Sequence, residues 1–353
     1  MAEDKTSPES KIFLNGQEIP PDLRVDLLDV CVRQYIEGAD CFDITVNALD
    51  STNQQLKWID SEDFNPGNTV EVRMGYLNEH ETMIVGEITA LHAHYSNDEA
   101  TLLNVQGFDK LHRFRRGRNT QSFLEMKDSQ IAEKIAQKMG LTPEIEDSEI
   151  VHDYVLQNNL SDIDFLLERA RRIRFEVNVA DQTLSFRKAA NYLGKTVTLE
   201  YMRGDLKTFS PRLSTAQQVS EVIVRGWNPK SKEPILGVAK VGDETTDMEG
   251  SIIGPKIAEQ AFDKTMAEIV DIPIVSQSEA EQIAKAKFND LAIELICGEG
   301  EAVGNPQIRA GTTIELLGLG RRFSGIYHIR SCEHRMTPQI GYITKFNAER
   351  NAS

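Results

Sequence analysis

The sequence predicts an α+β fold that is mainly β, with two related antiparallel β-barrel domains, an α/β domain between them and a helix-containing excursion in the second. Three observations lead to it. Segments of alternating polarity dominate the start of the chain and return near its end. The middle switches to a helical period. A glycine-led strand pattern near residue 67 recurs near residue 311.

Residues 1–10 carry charges and a proline but no apolar stretch, and read as a flexible N-terminus. Phe42-Asp43-Ile44-Thr45-Val46-Asn47-Ala48-Leu49 alternates as a strand with one wet face does. Asn65-Pro66-Gly67-Asn68 is a turn signal, and Thr69 to Met74, Ile84 to His94 and Thr101 to Gln106 continue the pattern. These strands place a first β-barrel domain over 11–108.

An α/β domain is predicted over 109–195. Ile131, Ile135 and Met139 recur at four-residue spacing in a helix opened by Asp128 and closed at Gly140. Ser161-Asp162-Ile163-Asp164 resembles a capping box, and its helix is expected to bury Ile163, Leu166, Leu167 and Ala170 while Arg169, Arg171 and Arg172 stay wet. Arg174 to Val179 and Thr183 to Arg187 flank Asp181-Gln182 as a hairpin.

The second β-barrel domain is predicted over 196–353. Val222 and Val224, within Val219 to Trp227, suit a buried strand. The stretch 228–275 is rich in Lys, Asp, Glu, Gly and Pro, with a weak helical piece over 257–269, and reads as an exposed, partly mobile excursion. A helix over about 278–294 carries Ile283, Ala284, Phe288 and Leu291, and four short strands follow.

Composition narrows the function. No window approaches the roughly 18 apolar residues of a spanning helix, so no stable membrane insertion is expected. Cys31, Cys41, Cys297 and Cys332 lack the spacing of a zinc site or redox pair, and read as reduced, mostly buried thiols. A formal charge of −16 opposes a phosphate backbone, so no sequence-specific nucleic acid is expected.

The candidate sites each have a plain alternative. His112 to Arg118 is the basic cluster that contains an aromatic, and Arg113, Arg115, Arg116 and Arg118 are candidate interface residues. His92 and His94 share one strand face without a third ligand nearby, and His328, Cys332 and His334 carry no stronger metal signal. Asp162 and Asp164 form the nearest carboxylate pair, but a helix N-terminus accounts for both. Gly318 to Phe323 lacks the third glycine of a dinucleotide loop, and no G-x-S-x-G elbow occurs. No catalytic, metal or cofactor site is therefore predicted.

The repeat is the most informative feature. Gly67-Asn68-Thr69-Val70-Glu71-Val72 is answered by Gly311-Thr312-Thr313-Ile314-Glu315-Leu316, and Gly86-Glu87-Ile88 by Gly325-Ile326-Tyr327. Histidines follow each: His92 and His94, then His328 and His334. A weaker echo sets Val105 to Asp109 against Val224 to Asn228. A trimer of such a chain would present six similar units around one axis, which lets a threefold object meet a sixfold tube.

Gln307 to Leu316, Phe323 to Ile329 and Glu333-His334 resemble the second tube barrel of the late-control protein D and VgrG family. Gln157-Asn158-Asn159-Leu160-Ser161-Asp162-Ile163-Asp164-Phe165-Leu166 is similar to its "Q-x-x-x-S-D-x-x-F-L" helix, and Gly107-Phe108-Asp109 to the end of its first barrel. The likeness spans roughly residues 11 to 349. It implies a baseplate hub without enzymatic activity or cofactor: a homotrimer that joins an inner tube protein to a spike, among other baseplate proteins. The family's VgrG members continue into an OB-fold and a needle, whereas this sequence stops at Ser353, so a separate spike protein is expected. The implied setting is assembly in the bacterial cytoplasm and residence in the baseplate of a virion, tailocin or injection particle. Arg113, Arg115, Arg116 and Arg118 become candidates for a subunit or spike interface. The competing expectation is a tail-associated cell-wall hydrolase, which requires a pocket with a perturbed carboxylate.

Overall fold

The computed structural model describes residues 7–50, 52–77, 79–96, 100–180, 182–189, 197–228, 230–246 and 248–353. The first unit contains β1 (Pro8–Leu14), β2 (Gln17–Glu18), α1 (Pro21–Asp26), β3 (Leu27–Tyr35), β4 (Cys41–Asn47), β5 (Leu49–Asp50), β6 (Gln55–Leu56), β7 (Thr69–Tyr76), β8 (Glu79–His94) and β9 (Leu102–Asp109). Its sheet runs β3-β4-β9-β8-β7-β1-β2, antiparallel throughout. The alternation read from sequence is physical: Phe42, Ile44, Val46 and Ala48 are buried among Val32, Val70, Val72 and Val105, while Asp43, Thr45 and Asn47 turn outward. Phe42 has room because Gly107 opposes it; a Cβ at Gly107 would run into the ring. Pro8, Glu9 and Ser10, expected in a flexible N-terminus, instead pair with Tyr76, Gly75 and Met74, and residues 1–6 lie outside the described residues.

The middle unit contains β10 (Asn119–Lys127), α2 (Asp128–Lys138), β11 (Thr142–Ile145), β12 (Val151–Leu160), α3 (Asp162–Arg172), β13 (Phe175–Ala180) and β14 (Thr183–Lys188). β10 and β12 form an antiparallel ribbon, and β11-β14-β13 a small mixed sheet. Ile131 and Ile135 of α2 meet Phe165, Leu166 and Ala170 of α3 over Val177, Leu184 and Phe186. Of the expected hairpin turn, Asp181 lies outside the described residues. One expectation fails here. Arg169, predicted wet, is buried, because its Nε and Nη2 donate to the Asp128 carboxylate at 2.5 and 3.0 Å.

The last unit contains β15 (Val197–Glu200), β16 (Leu206–Leu213), β17 (Glu221–Asn228), β18 (Glu233–Lys240), α4 (Gly254–Phe262), β19 (Met266–Ile269), α5 (Gln277–Ile293), β20 (Ile296–Val303), β21 (Thr313–Leu317), α6 (Gly320–Phe323), β22 (Gly325–Thr337) and β23 (Gly341–Arg350). Thr196, the expected start of this region, lies outside the described residues. The stretch 228–275, expected as an exposed, partly mobile excursion with a helical piece over 257–269, contains β18, α4 and β19. β17 pairs with β18 and, in parallel, with β19, while α5 covers them through Ala280, Ile283, Ala284 and Phe288. Gly237 admits the α5 backbone, which a Cβ would strike at Ala280.

The two expected barrels do not close. Among the described residues, thirteen strands form one sheet, because Ser331 to Met336 of β22 pair with Tyr35 to Val30 of β3 and so join the first unit to the last. The sheet is free to end at β2 on one side and β16 on the other.

The repeat is exact in hydrogen bonding where sequence shows it only in outline. Gly67 donates to Ile88 O at 2.8 Å and Ile88 to Asn68 O at 3.0 Å; Gly311 donates to Ile329 O at 2.9 Å and Ile329 to Thr312 O at 2.8 Å. Both turn glycines need positive φ, +96° and +78°. Bulges follow at the same places, between Ile88 and Ala90 and between Ile329 and Ser331, and again between Leu27 and Asp29 and between Leu206 and Thr208. The order β3-β4-β9-β8-β7 thus matches β16-β20-β23-β22-β21. The structure shifts one sequence match by two residues: Gly86-Glu87-Ile88 coincides with Tyr327-His328-Ile329, because Thr69 faces Glu87 as Thr313 faces His328. It also removes the weaker echo, since β9 corresponds to β23 and β17 lies in another sheet.

Candidate functional site

The basic run hangs on Asp109, whose Oδ1 accepts the Leu111 N–H at 2.8 Å and opens a 3₁₀ turn over 110–115. Leu111 and Phe114 point inward, which leaves Arg113, Arg115, Arg116 and Arg118 exposed. Arg113 grips buried Glu87 through Nε and Nη2 at 2.7 and 2.6 Å, and Arg118 donates to Asn159 O at 3.2 Å. Two of the four candidate arginines are therefore engaged within the chain.

The histidines are held in different ways. His92 and His94 are exposed, and among the described residues no group of three or more His, Cys, Asp or Glu could hold a metal ion. His328 is buried, with Nδ1 3.3 Å from Glu349 and Nε2 3.8 Å from Glu176 of the middle unit. His334 is fully buried between Tyr342 OH and Ile308 O, each at 2.8 Å, and burial pushes its pKa down to about 3. Ser161 caps α3 as expected: its hydroxyl accepts the Asp164 N–H at 3.1 Å and donates to Asp164 Oδ2 at 2.6 Å. Asp162 takes hydrogen bonds from Gln157, Asn119 and Lys138 at 2.9, 2.9 and 3.0 Å. The "Q-x-x-x-S-D" spacing is thus a physical contact between its first and last residues.

One carboxylate pair escaped the sequence reading because its members are far apart in the chain. Asp40 and Asp109 line a cavity of about 330 Å³ with Gln34, Met83, Asn178 and Arg309. Burial raises Asp109 to about 8 and Asp40 to about 7. Their oxygens, however, accept backbone N–H groups: Tyr35 to Asp40 at 3.0 Å, Asp40 to Asp109 at 2.9 Å, and Leu111 as above. That bonding builds the turn from β3 into β4.

Among the open strand edges of the described residues, two lie at β8 and β16. β8 beyond Ile88 pairs with β9 but with no strand on the β7 side, and its tail carries exposed Leu91 and Tyr95. β16 pairs only with β20. Ser214 donates to Leu295 O at 2.9 Å, so by alternation Phe209, Pro211 and Leu213 direct their backbone groups to the open side. A shallow groove of about 510 Å³ runs beside this edge, lined by Arg33, Thr208, Glu299, Glu333, Lys345 and Asn347.

A family model described as the Alg8 N-terminal domain matches residues 4–338. No curated protein sequence matches the chain. Among solved structures, the 43 kDa tail protein of prophage MuSo2 from Shewanella oneidensis superposes with TM-score 0.72 at 14% identity, covering 98% of each chain. The tail protein from Neisseria meningitidis MC58 gives 0.70 at 13%, covering 98% of this chain and 97% of that one. The E. coli c3393 protein, a component of the type VI secretion system with structural similarity to T4 bacteriophage tail proteins gp27 and gp5, gives 0.62 at 12%, covering 97% and 77%. At such identities these likenesses speak to the fold.

Proposed function

The chain belongs to the family described as the Alg8 N-terminal domain, and from that premise we propose that it is a structural baseplate hub of a contractile tail or injection system. In this reading it acts as a homotrimer without catalysis. Its first and last units, 11–108 and 196–353, form one end that meets a sixfold inner tube, and the 109–195 unit adds contacts with other baseplate proteins. A spike would sit on the opposite side, in a particle assembled in the bacterial cytoplasm. Arg115 and Arg116 remain candidates for a subunit or spike contact.

The observation that carries this proposal is the repeat. Two units with the same strand order, the same glycine turn and the same bulges give each chain two near-equivalent seats, and three chains give six. The solved structures that share the fold include tail proteins and a type VI secretion component, which supports the same reading. Sedimentation equilibrium of the purified chain tests it: the proposal expects three times the 39.7 kDa chain mass, held by interfaces above about 2,000 Å². A monomer at tens of micromolar would overturn it.

Among the described residues, the pocket holding Asp40 and Asp109 is the feature that favours a cell-wall hydrolase. A zymogram decides between the two: clearing of peptidoglycan that Asp109→Asn abolishes would favour the enzyme, and the hub reading expects no clearing.

A further inference from the structure

Within one chain, the two β units are joined by a specific strand pairing. The β22 tail adds to β3 in the register Cys332↔Gln34, His334↔Val32 and Met336↔Val30. The matched bulges fix what corresponds to each partner in the other unit. Ala90 to His94 of β8, with Tyr95 just beyond the strand, correspond to Ser331 to Met336 of β22, because both follow the bulge after Ile88 or Ile329. β16 corresponds to β3, because Leu206 and Thr208 flank a bulge as Leu27 and Asp29 do, and Arg212 faces Cys297 as Arg33 faces Cys41. Both counterparts are open among the described residues.

The geometry points to the same joint being remade between chains: the β8 tail of one copy adds, antiparallel, to β16 of a second copy in the register Leu91↔Leu213, Ala93↔Pro211 and Tyr95↔Phe209. That the ring closes with three copies rests on the hub reading above. The pairing itself rests on the strand edges.

Backbone parity supports it. Phe209, Pro211 and Leu213 face the open side, as Val30, Val32 and Gln34 face β22. Side-chain chemistry agrees on both faces. Leu91, Ala93 and Tyr95 would lie against Leu213, Pro211 and Phe209, all apolar, while His92 and His94 would lie beside Arg212 and Ser210. The internal joint shows what such pairing does: His334 is fully buried, and Met336 packs on the core of the first unit. Pro211 removes one donor from the ladder but keeps its carbonyl, and a proline on an open edge also discourages pairing with unrelated strands. Because each chain offers a β8 tail to one neighbour and a β16 edge to the other, the contact is head-to-tail, and it closes into a ring in which internal and intermolecular joints alternate.

Paired cysteines test the register. His92 and Arg212 form a non-hydrogen-bonded pair in this ladder, where cross-strand Cα atoms come within about 4.5 Å, inside disulfide range. Oxidised His92→Cys/Arg212→Cys is expected to give covalent trimer, with roughly tenfold less from the shifted pair His94→Cys/Arg212→Cys, which lies diagonally at about 7–8 Å. Wild-type protein under the same oxidation sets the background from Cys41 and Cys297. A second variant, Leu91→Glu/Tyr95→Glu, changes only exposed side chains; it is expected to keep its circular dichroism and lose the trimer. A trimer with no register-specific cross-link, or one that survives the double glutamate, overturns the strand pairing and leaves the hub reading standing. A wild-type monomer overturns both.

Discussion

Leu91 and Cys332 hold equivalent positions in the two β units, yet Leu91 is 39% exposed and Cys332 4%. The difference is the neighbour. β3 lies beside Cys332, whereas no described strand lies beside Leu91 on that side. One chain thus carries a completed joint and the two open edges that the proposed pairing between copies would join.

Gly107 is the clearest packing test. A Cβ there meets both the Glu87 carbonyl oxygen and the Phe42 ring, so Gly107→Ala is expected to cost about 1–3 kcal/mol by overpacking. Adding Phe42→Leu should recover part of that loss, measured by urea unfolding. Strictly additive losses would mean that the Glu87 carbonyl, and not the ring, sets the cost.

His334 sets an acid-side prediction. Folded His334 titrates near 3 and an ordinary histidine near 6.5, so the unfolded state takes up the proton first as pH falls. Its contribution is full above 6.5 and is lost progressively toward 3. His334→Gln should be less stable at neutral pH by about 1–3 kcal/mol through disturbed bonds to Tyr342 and Ile308. The gap should narrow as pH falls to about 4.5. A gap independent of pH would mean that His334 is solvated.

Asp109 acts in the opposite sense. Its pKa rises from 3.8 to about 8 through burial and the charge of Asp40, so the folded state holds the proton longer as pH rises. The stability this gives is present below 3.8 and is lost as pH climbs through about 8. Thermal melts between about pH 6 and about pH 9 should show the decline, and Asp109→Asn should flatten it.

The basic run separates into two kinds of arginine. Arg113→Ala leaves buried Glu87 without its bidentate partner and should cost about 1–3 kcal/mol. Arg116→Ala should change stability by less than about 0.5 kcal/mol. A loss of assembly in the Arg116 variant without a loss of stability would assign it to an interface.

Much of the fold was legible because strand alternation is local: Phe42 to Ala48 and Thr69 to Met74 carry their own faces. What was missed depends on distant partners. Arg169 is buried because Asp128 reaches it from another helix. The 228–275 stretch folds because Ile235, Ala239 and Ile274 find Phe288, and each looks isolated in a charged sequence. The repeat was visible at its glycines, but its register depended on a bulge that no single residue announces, which is why one match slipped by two positions. Asp40 and Asp109 met only when β3, β4 and β9 came together.

Electron microscopy of the purified chain, viewed down the particle axis, addresses the central claim most directly. The account predicts rings with threefold symmetry in which six near-equal sheet segments surround an open centre. Single chains, or particles with only a twofold axis, would contradict it.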